Sequence, residues 1–397
     1  MLFDANFLDN PYPSYQEMRD CGPIHQLEML GGAWAFPRHA EVASLLMCQS
    51  LSARRSDVLV DQFAEDVREE LSEFKRLFSM WMLFFDPPEH TRARKAMLRG
   101  FVPEALNGIR AKIQVIVNEL IDAVEPGGRM DVIADFAHPL PALVIAEFLG
   151  VPVEDRDRFI RWSDDIAEFF GSSAATPGMA RKAQRSLVEL MGYFRQVIPR
   201  RRTVPGDDLL SVLIHLKDQD ETLTEEELYA QCAMLLFAGH ETTRNLIGNG
   251  LLALLNHPKQ LKLLAQNPSL AGTAVDEFLR YDSPVQFGTR LAKDDMELHG
   301  RKIAKGQLVI LLLGSANRDQ AEFRCPDLLD ITRKPNRHVS FGYGPHMCMG
   351  ASLAHIEGEI AFNTLLRRMP AMRLETTRPE WSDNFGFRGL KSLGISF

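Results

Sequence analysis

The stretch Ser340-Phe341-Gly342-Tyr343-Gly344-Pro345-His346-Met347-Cys348-Met349-Gly350 constrains this chain more than any other, because it sets one cysteine in a glycine-punctuated loop directly before a helix. Glycines admit close approaches that side chains forbid, so Gly342, Gly344 and Gly350 let the loop lie against a large planar group with one sulfur pointing at it. From Gly350 to Phe362 apolar residues recur at helical spacing, which puts Cys348 at a helix N-terminus. There the N–H groups and the positive end of the helix dipole favour a thiolate over a thiol. A lone cysteine is more often a small buried hydrophobe, and His346 with Cys348 supplies only two of the ligands that zinc needs. The loop as a whole argues against both readings.

Two further patterns stand upstream. Glu277-Phe278-Leu279-Arg280 sets opposite charges one helical turn apart. Ala238-Gly239-His240-Glu241-Thr242-Thr243 lies inside an apolar helical stretch. Thr224 and Glu227 form a capping box, with Leu223 and Leu228 placed as a hydrophobic staple, so this helix starts near Glu225 and runs towards His257. Gly239 and Thr242 are poor helix formers in its apolar middle, and a hydroxyl there can bond its own backbone and open a local bend.

Phe341-Gly342-x-Gly344-x-His346-x-Cys348-x-Gly350 resembles the cysteine-ligand loop of the cytochrome P-450 haem-thiolate monooxygenases, most of all their soluble bacterial members. The resemblance covers almost the whole chain and implies a mainly α fold with small β-sheets (α+β), a long central oxygen-binding helix and haem b as cofactor. It makes Cys348 the axial iron ligand, framed by Phe341, Gly342 and Gly350. Glu277 and Arg280 then lock their helix to a meander ending at Pro335-Asn336-Arg337-His338, which offers Arg337 or His338 as third member. Glu241 and Thr242 match the acid and alcohol that handle protons beside the iron. His90 and Arg94 match the pair that reaches one haem propionate, and Arg290 and His346 the contacts to the other. The family's pocket positions map onto Phe78, Trp81, Met82, Met234, Leu235, Ala238, Pro284, Val285, Gln286, Phe287 and Phe385, most of them apolar. Two departures stand out: His355 replaces the family's usual Arg, and Met347 and Met349 flank the ligand.

No Pro/Gly/Ser linker or charge block divides the 397 residues, so one catalytic unit over residues 1–397 is expected. Net charge is −8, from 45 basic and 53 acidic residues, which argues against nucleic acid as a partner. Five scattered cysteines suit a reducing, cytoplasmic setting. Met1 to Asn6 shows no leader pattern, and no apolar window of about 18 residues is read, so no membrane association and a soluble monomer are expected. Ile24–Met29, a Gly31-Gly32 turn and Ala33–Phe36 read as a hairpin, Met296–Leu298 before a His299-Gly300 turn and Leu308–Leu313 as further strands, and nearly all else as helix. Gly171–Gly178 is a breaker-rich gap where the family carries a lid loop.

The implied reaction is insertion of one atom of O2 into an apolar, medium-to-large small-molecule substrate, by hydroxylation or epoxidation, as in bacterial secondary metabolism. The substrate is free or bound to a carrier protein. A thiolate ligand pushes electron density through the metal and favours O–O cleavage. No flavin or nicotinamide domain is seen in the chain, so electrons are expected from NAD(P)H through a ferredoxin or flavodoxin and its reductase, docking near Arg92, Lys95 and Arg99. A peroxide-using or rearranging enzyme of the same fold, and a catalytically silent haem-binding recruitment protein, are the alternatives.

Overall fold

The structure, a computed structural model, describes residues 5–28, 32–172, 175–220, 223–376 and 378–397. They form two compact units. One gathers residues 1–52, 117–137 and 242–397, and the other residues 53–116 and 138–241.

The first unit holds the sheets. A five-stranded sheet has the order β1-β2-β8-β5-β3, built from β1 (His25–Gln26), β2 (Trp34–Phe36), β3 (Leu51–Ser52), β5 (Gly288–Ala292) and β8 (Leu308–Leu311). β2 and β8 run parallel, with Ala35 opposite Ile310, and the other pairs are antiparallel. β4 (Arg129–Asp131), β9 (Arg373–Leu374) and β10 (Gly394–Ser396) form a second sheet in the order β4-β10-β9. β6 (Met296–Leu298) pairs with β7 (Arg301–Ile303) across a tight turn in which His299 and Gly300 both take positive φ, as a right-twisted hairpin requires. Alternate strand residues fill two cores, one around Phe36, Leu311 and Val339 and the other around Tyr15, Ala35 and Ile310.

The strands read from the sequence at residues 24–36, 296–298 and 308–313 are present, although residues 29–31 of the first turn lie outside the described set. The expectation that nearly all else is helical fails for β3, β4, β7, β9 and β10, two or three residues each, and for β5, whose Gly-Thr-Arg-Leu-Ala sequence carries no alternating apolar pattern. The absence of a long apolar window is also corrected. Val132–Leu149 has a mean hydropathy of 1.6, but 67% of it is buried inside the protein, as a core segment. It comprises a π-helical turn, Val132–Ala137, and a helix, Pro139–Leu149.

The second unit is helical among its described residues, with Glu89–Leu98, Arg156–Phe170 and Pro177–Thr203 as the helices that matter below. Thr176 caps the last of these, its Oγ1 accepting from Met179 N at 3.3 Å. The gap expected at 171–178 therefore falls between two helices, with residues 173 and 174 outside the described set. The long central helix runs Glu225–Asn256, within a residue of its expected span at each end. Its capping box is formed: Thr224 N donates to Glu227 Oε2 at 2.8 Å and Glu227 N to Thr224 Oγ1 at 3.1 Å. The helix continues unbroken through Gly239 and Thr242, and a Cβ on Gly239 would meet Ile145 at an ordinary 3.5 Å, so this glycine neither breaks the helix nor is demanded by packing.

Candidate active site

In the first unit, the Cys348 loop is held by its own backbone. Gly342 N donates to Val339 O at 2.8 Å, Cys348 N to Phe341 O at 2.8 Å and Met347 N to Gly344 O at 3.0 Å. Gly342 and Gly344 adopt φ of +69° and +74°, the left-handed region where a side chain is strained. A Cβ at Gly344 would also lie 2.8 Å from Met47 Cγ. The helix Ala351–Arg368 follows, with Gly350 at its N-cap. Phe341, Gly342, His346, Cys348 and Gly350 are thus brought into one loop, as expected from their spacing.

This rigid loop keeps the Cys348 thiol exposed. Cys232 is the opposite case, fully buried in the central helix, where desolvation pushes its thiol up and away from reactivity. An accessible sulfur beside a helix start, with Gly350 at the N-cap two residues on, fits a soft thiolate ligand for iron.

Glu277 and Arg280, on the helix Ala271–Tyr281, are both completely buried. Their bond is bidentate, Arg280 Nε to Glu277 Oε2 and Nη2 to Oε1, each 2.7 Å. Arg280 spends its remaining donors on the carbonyls of Asn317, Pro326 and Leu328. The third member is neither Arg337 nor His338. Arg333 fills that role, its Nε 3.1 Å from Glu277 Oε2, and Asn336 donates to the same oxygen at 3.2 Å. Arg337 is exposed, and His338 bonds Asp276 instead, at 3.3 Å. The meander's irregular backbone, which no periodicity encodes, turns Arg333 inward.

His355 has a partner of its own. Its Nε2 lies 3.1 Å from Asp276, so two imidazoles share one carboxylate, and both rings flank Phe341 at 5.6 to 5.8 Å. Burial acts to raise Asp276, but hydrogen bonds and charge from His338 and His355 outweigh it and hold the carboxyl well below its usual range.

Arg290 is buried on β5, donating from Nη1 to the Thr289 carbonyl at 2.8 Å, and His346 ends a short 3-10 turn in the ligand loop. In the second unit, His90 and Arg94 share one face of Glu89–Leu98, with His90 buried. Arg92 on that helix is committed elsewhere: its guanidinium grips Glu227 of the capping box, Nη1 to Oε2 at 2.9 Å. It clamps the start of the central helix while its side chain stays 37% exposed. Lys95 and Arg99 are exposed.

The expected pocket residues divide. In the second unit Phe78 and Trp81 are fully buried in an aromatic cluster, Phe78 4.6 Å from Trp81 and 5.7 Å from Phe170, and Trp81 5.2 Å from Phe237. Sequence reasoning passed over Phe170 and Phe237, although Phe237 stands inside the apolar run already noted. Met82 is tied by its backbone N–H to Gln231 Oε1 at 2.8 Å. Trp81 Nε1 is buried and has no hydrogen-bond partner. Met234 and Leu235 are buried on the central helix, whereas Ala238 is exposed and Thr242, one turn on, is partly so. From Leu228 to Leu254, all positions except Ala238, Gly239, Thr242 and Arg244 are buried, so the helix opens on the face that carries Ala238 and Thr242; Glu241 beside them is buried.

In the first unit Gln286 borders a small cleft with Phe385 and Arg388 and is tied into the core by its amide. Its Oε1 accepts from the Tyr15 hydroxyl at 2.9 Å and its Nε2 donates to Ser283 O at 2.7 Å, so both ends of the amide serve the core. Phe385 packs 5.9 Å from the Phe7 ring in the same core, with Phe287 against it. Val285 bridges Phe387, and its neighbour Pro284 accepts from Arg388 N at 2.8 Å.

These features agree with comparisons to known proteins. Residues 55–388 match the cytochrome P450 family. Cytochrome P450 CYP107DY1 of Priestia megaterium is 40% identical over 93% of this chain and 90% of its own length. The polyketide biosynthesis cytochrome P450 PksS of Bacillus subtilis is 37% identical over 98% and 96%. The solved structure of P450BioI with an acyl carrier protein carrying hexadec-9Z-enoic acid superposes with a TM-score of 0.92 at 38% identity, covering 99% of this chain and all of that one. The chain belongs to the cytochrome P450 family. It is therefore an oxidoreductase that incorporates molecular oxygen and works with a haem-iron cofactor, and its bacterial relatives include enzymes of secondary metabolism.

Proposed function

We propose that this chain, as one catalytic unit over residues 1–397, hydroxylates or epoxidises an apolar, medium-to-large organic substrate in bacterial secondary metabolism. The balance is one substrate, one O2, two electrons and two protons to oxygenated product and water. Electrons come from NAD(P)H through a ferredoxin or flavodoxin and its reductase, and the enzyme works as a cytoplasmic monomer. The observation that carries the reading is the exposed Cys348 in a loop held by backbone hydrogen bonds from Gly342, Met347 and Cys348.

Cys348 would hold the iron of haem b, with His90, Arg94, Arg290 and His346 available to its carboxylates and Phe341, Gly342 and Gly350 framing the ligand. When bound, that haem supplies oxygen activation, favoured by an electron-rich sulfur. The chain's own residues orient, dry and protonate. Thr242 offers a hydroxyl on the partly open face of the central helix that carries Ala238, and Glu241 a carboxyl beside it, a donor and a relay held at fixed positions. Phe78, Trp81, Phe170 and Phe237 exclude water and favour an apolar substrate body. The unpartnered Trp81 N–H favours a substrate with a carbonyl or hydroxyl oxygen, since an unmet buried donor costs about 1 to 3 kcal/mol. An acyl group on a carrier protein meets that requirement, and the likeness to P450BioI favours it as a second reading over a free acid.

Replacing Cys348 with Ser should abolish the thiolate-type absorption band of the reduced carbon monoxide complex, and retention of that band would refute the ligand. Thr242→Ala should keep haem and substrate binding while product per NAD(P)H falls several-fold and hydrogen peroxide is released. Unchanged coupling would leave Thr242 a structural residue. Titration with free hexadecenoic acid and with the same acyl group on acyl carrier protein, read by the haem spin-state shift, separates the two substrate forms.

A further inference from the structure

The second unit contains a cluster of ligand-type side chains that the oxygenase reading does not use. His138 immediately precedes the helix Pro139–Leu149, Asp164 lies on Arg156–Phe170, and His240 lies on the central helix. One ligand atom from each falls within 4.8 Å of the other two. His138 Nε2 is 3.0 Å from Asp164 Oδ1 and 3.2 Å from Oδ2, and His240 Nδ1 is 3.8 Å from the same Oδ1. Tetrahedral bonds of about 2.0 to 2.1 Å to N and O place ligand atoms about 3.4 Å apart, so these two separations bracket what an ion needs.

The surrounding hydrogen bonds prepare the site. His240 Nε2 is 3.0 Å from the His138 carbonyl oxygen, which can only accept, so the ring proton resides on Nε2. Nδ1 is then the basic nitrogen, and it faces Asp164 and the Ser163 hydroxyl, 3.0 Å away. A ligating histidine fixed through its second nitrogen by a backbone carbonyl is the usual support for a metal-binding imidazole. Ser163 would turn its hydroxyl aside on ion binding. His240 is only 1% exposed whereas Asp164 is 40% exposed, so the cluster reaches from the interior to the surface. Asp164 there lines a groove of about 400 Å³ with Asp157, Ile160, Arg161, Asp165 and Lys182, an entry route for a small hydrated ion. Of the two cations on that groove, Lys182 pairs with Asp165 at 2.8 Å and with Glu168 at 3.1 Å.

We propose that His138, Asp164 and His240 bind a divalent transition-metal ion, Zn2+ by the two-imidazole, one-carboxylate donor set, with water completing the coordination. The ion fastens Arg156–Phe170 to the central helix one residue before Glu241. Binding is measured on the haem-loaded enzyme by isothermal titration calorimetry with ZnCl2, with bound zinc counted by mass spectrometry after dialysis. One ion per chain is expected, weakened at least tenfold in both His138→Ala and Asp164→Ala, with the haem spectrum unchanged and the zinc-dependent rise in melting temperature lost. Absence of zinc binding to the wild type, or equal affinity in the variants, overturns the site. X-ray absorption of the zinc-loaded wild type needs no variant: two imidazoles and oxygen support the assignment, and sulfur or a single imidazole refutes it.

Discussion

Glu357, on the helix that follows the ligand loop, is 3% exposed, and its Oε2 has no hydrogen-bond partner. Burial alone raises its carboxyl well above the ordinary value of 4.5, so the folded protein holds a proton that the unfolded chain has already released. Because the folded pKa lies above the unfolded one, the associated stability is complete below the unfolded value and is lost as pH rises through the folded one. The slope in that window reaches about 1.4 kcal/mol per pH unit. Glu357→Gln should flatten it, gaining stability over wild type at pH 8 and little at pH 5. Parallel thermal melts across that range test this, and identical pH profiles would show that Glu357 is ionised in the fold. Nothing local distinguishes Glu357 from the neighbouring Glu359, because the difference lies in what packs over each. Gln286 teaches the same lesson: nothing in its local sequence announces that a tyrosine far away in the chain claims its amide.

Elements announced by local chemistry were legible in the sequence. The central helix was bounded by its capping box, and the ligand loop by glycines whose positive φ confirms why they are needed. Elements whose residues meet only through tertiary structure were not. The buried Glu277 clamp is the clearest case, since the sequence shows the motif itself and points to Arg337 or His338 as its third cation, whereas the irregular meander delivers Arg333. Arg333→Ala should destabilise the fold by about 2 kcal/mol, because it strips hydrogen bonds from a fully buried carboxylate that keeps Arg280. Arg337→Ala, at an exposed position, should stay within about 0.5 kcal/mol of wild type. Urea unfolding followed by circular dichroism measures both, and the reverse order of losses would restore the original assignment. His138, Asp164 and His240 escaped notice for a related reason: three different helical contexts supply them, and no spacing joins them.

Across the whole molecule, the chain passes between its two units at 52–53, 116–117, 137–138 and 241–242, so neither unit is a continuous stretch. Compositional reading looks for linkers and found none, because the division runs through elements, including the central helix between Glu241 and Thr242. Charge is likewise distributed against the average. The net −8 includes local cations on Glu89–Leu98 and just beyond, the helix of the propionate candidates His90 and Arg94. Arg92 pairs with Glu227, and Lys95 and Arg99 are the exposed cations of that stretch, proposed to meet an acidic ferredoxin. Rim charges set encounter rates, and salt screens them over about 10 Å at 0.1 M. Lys95→Glu with Arg99→Glu should therefore slow reduction by an acidic ferredoxin several-fold at low ionic strength, converge with wild type at high salt, and leave the substrate-induced spin shift intact. Arg92→Gln should behave differently, lowering stability through the freed Glu227 with no change in the salt dependence of reduction. Stopped-flow reduction across a salt series decides between them: a slope altered by Arg92→Gln alone would place the docking charge at Arg92, and equal slopes in all three proteins would place the electron entry on another surface.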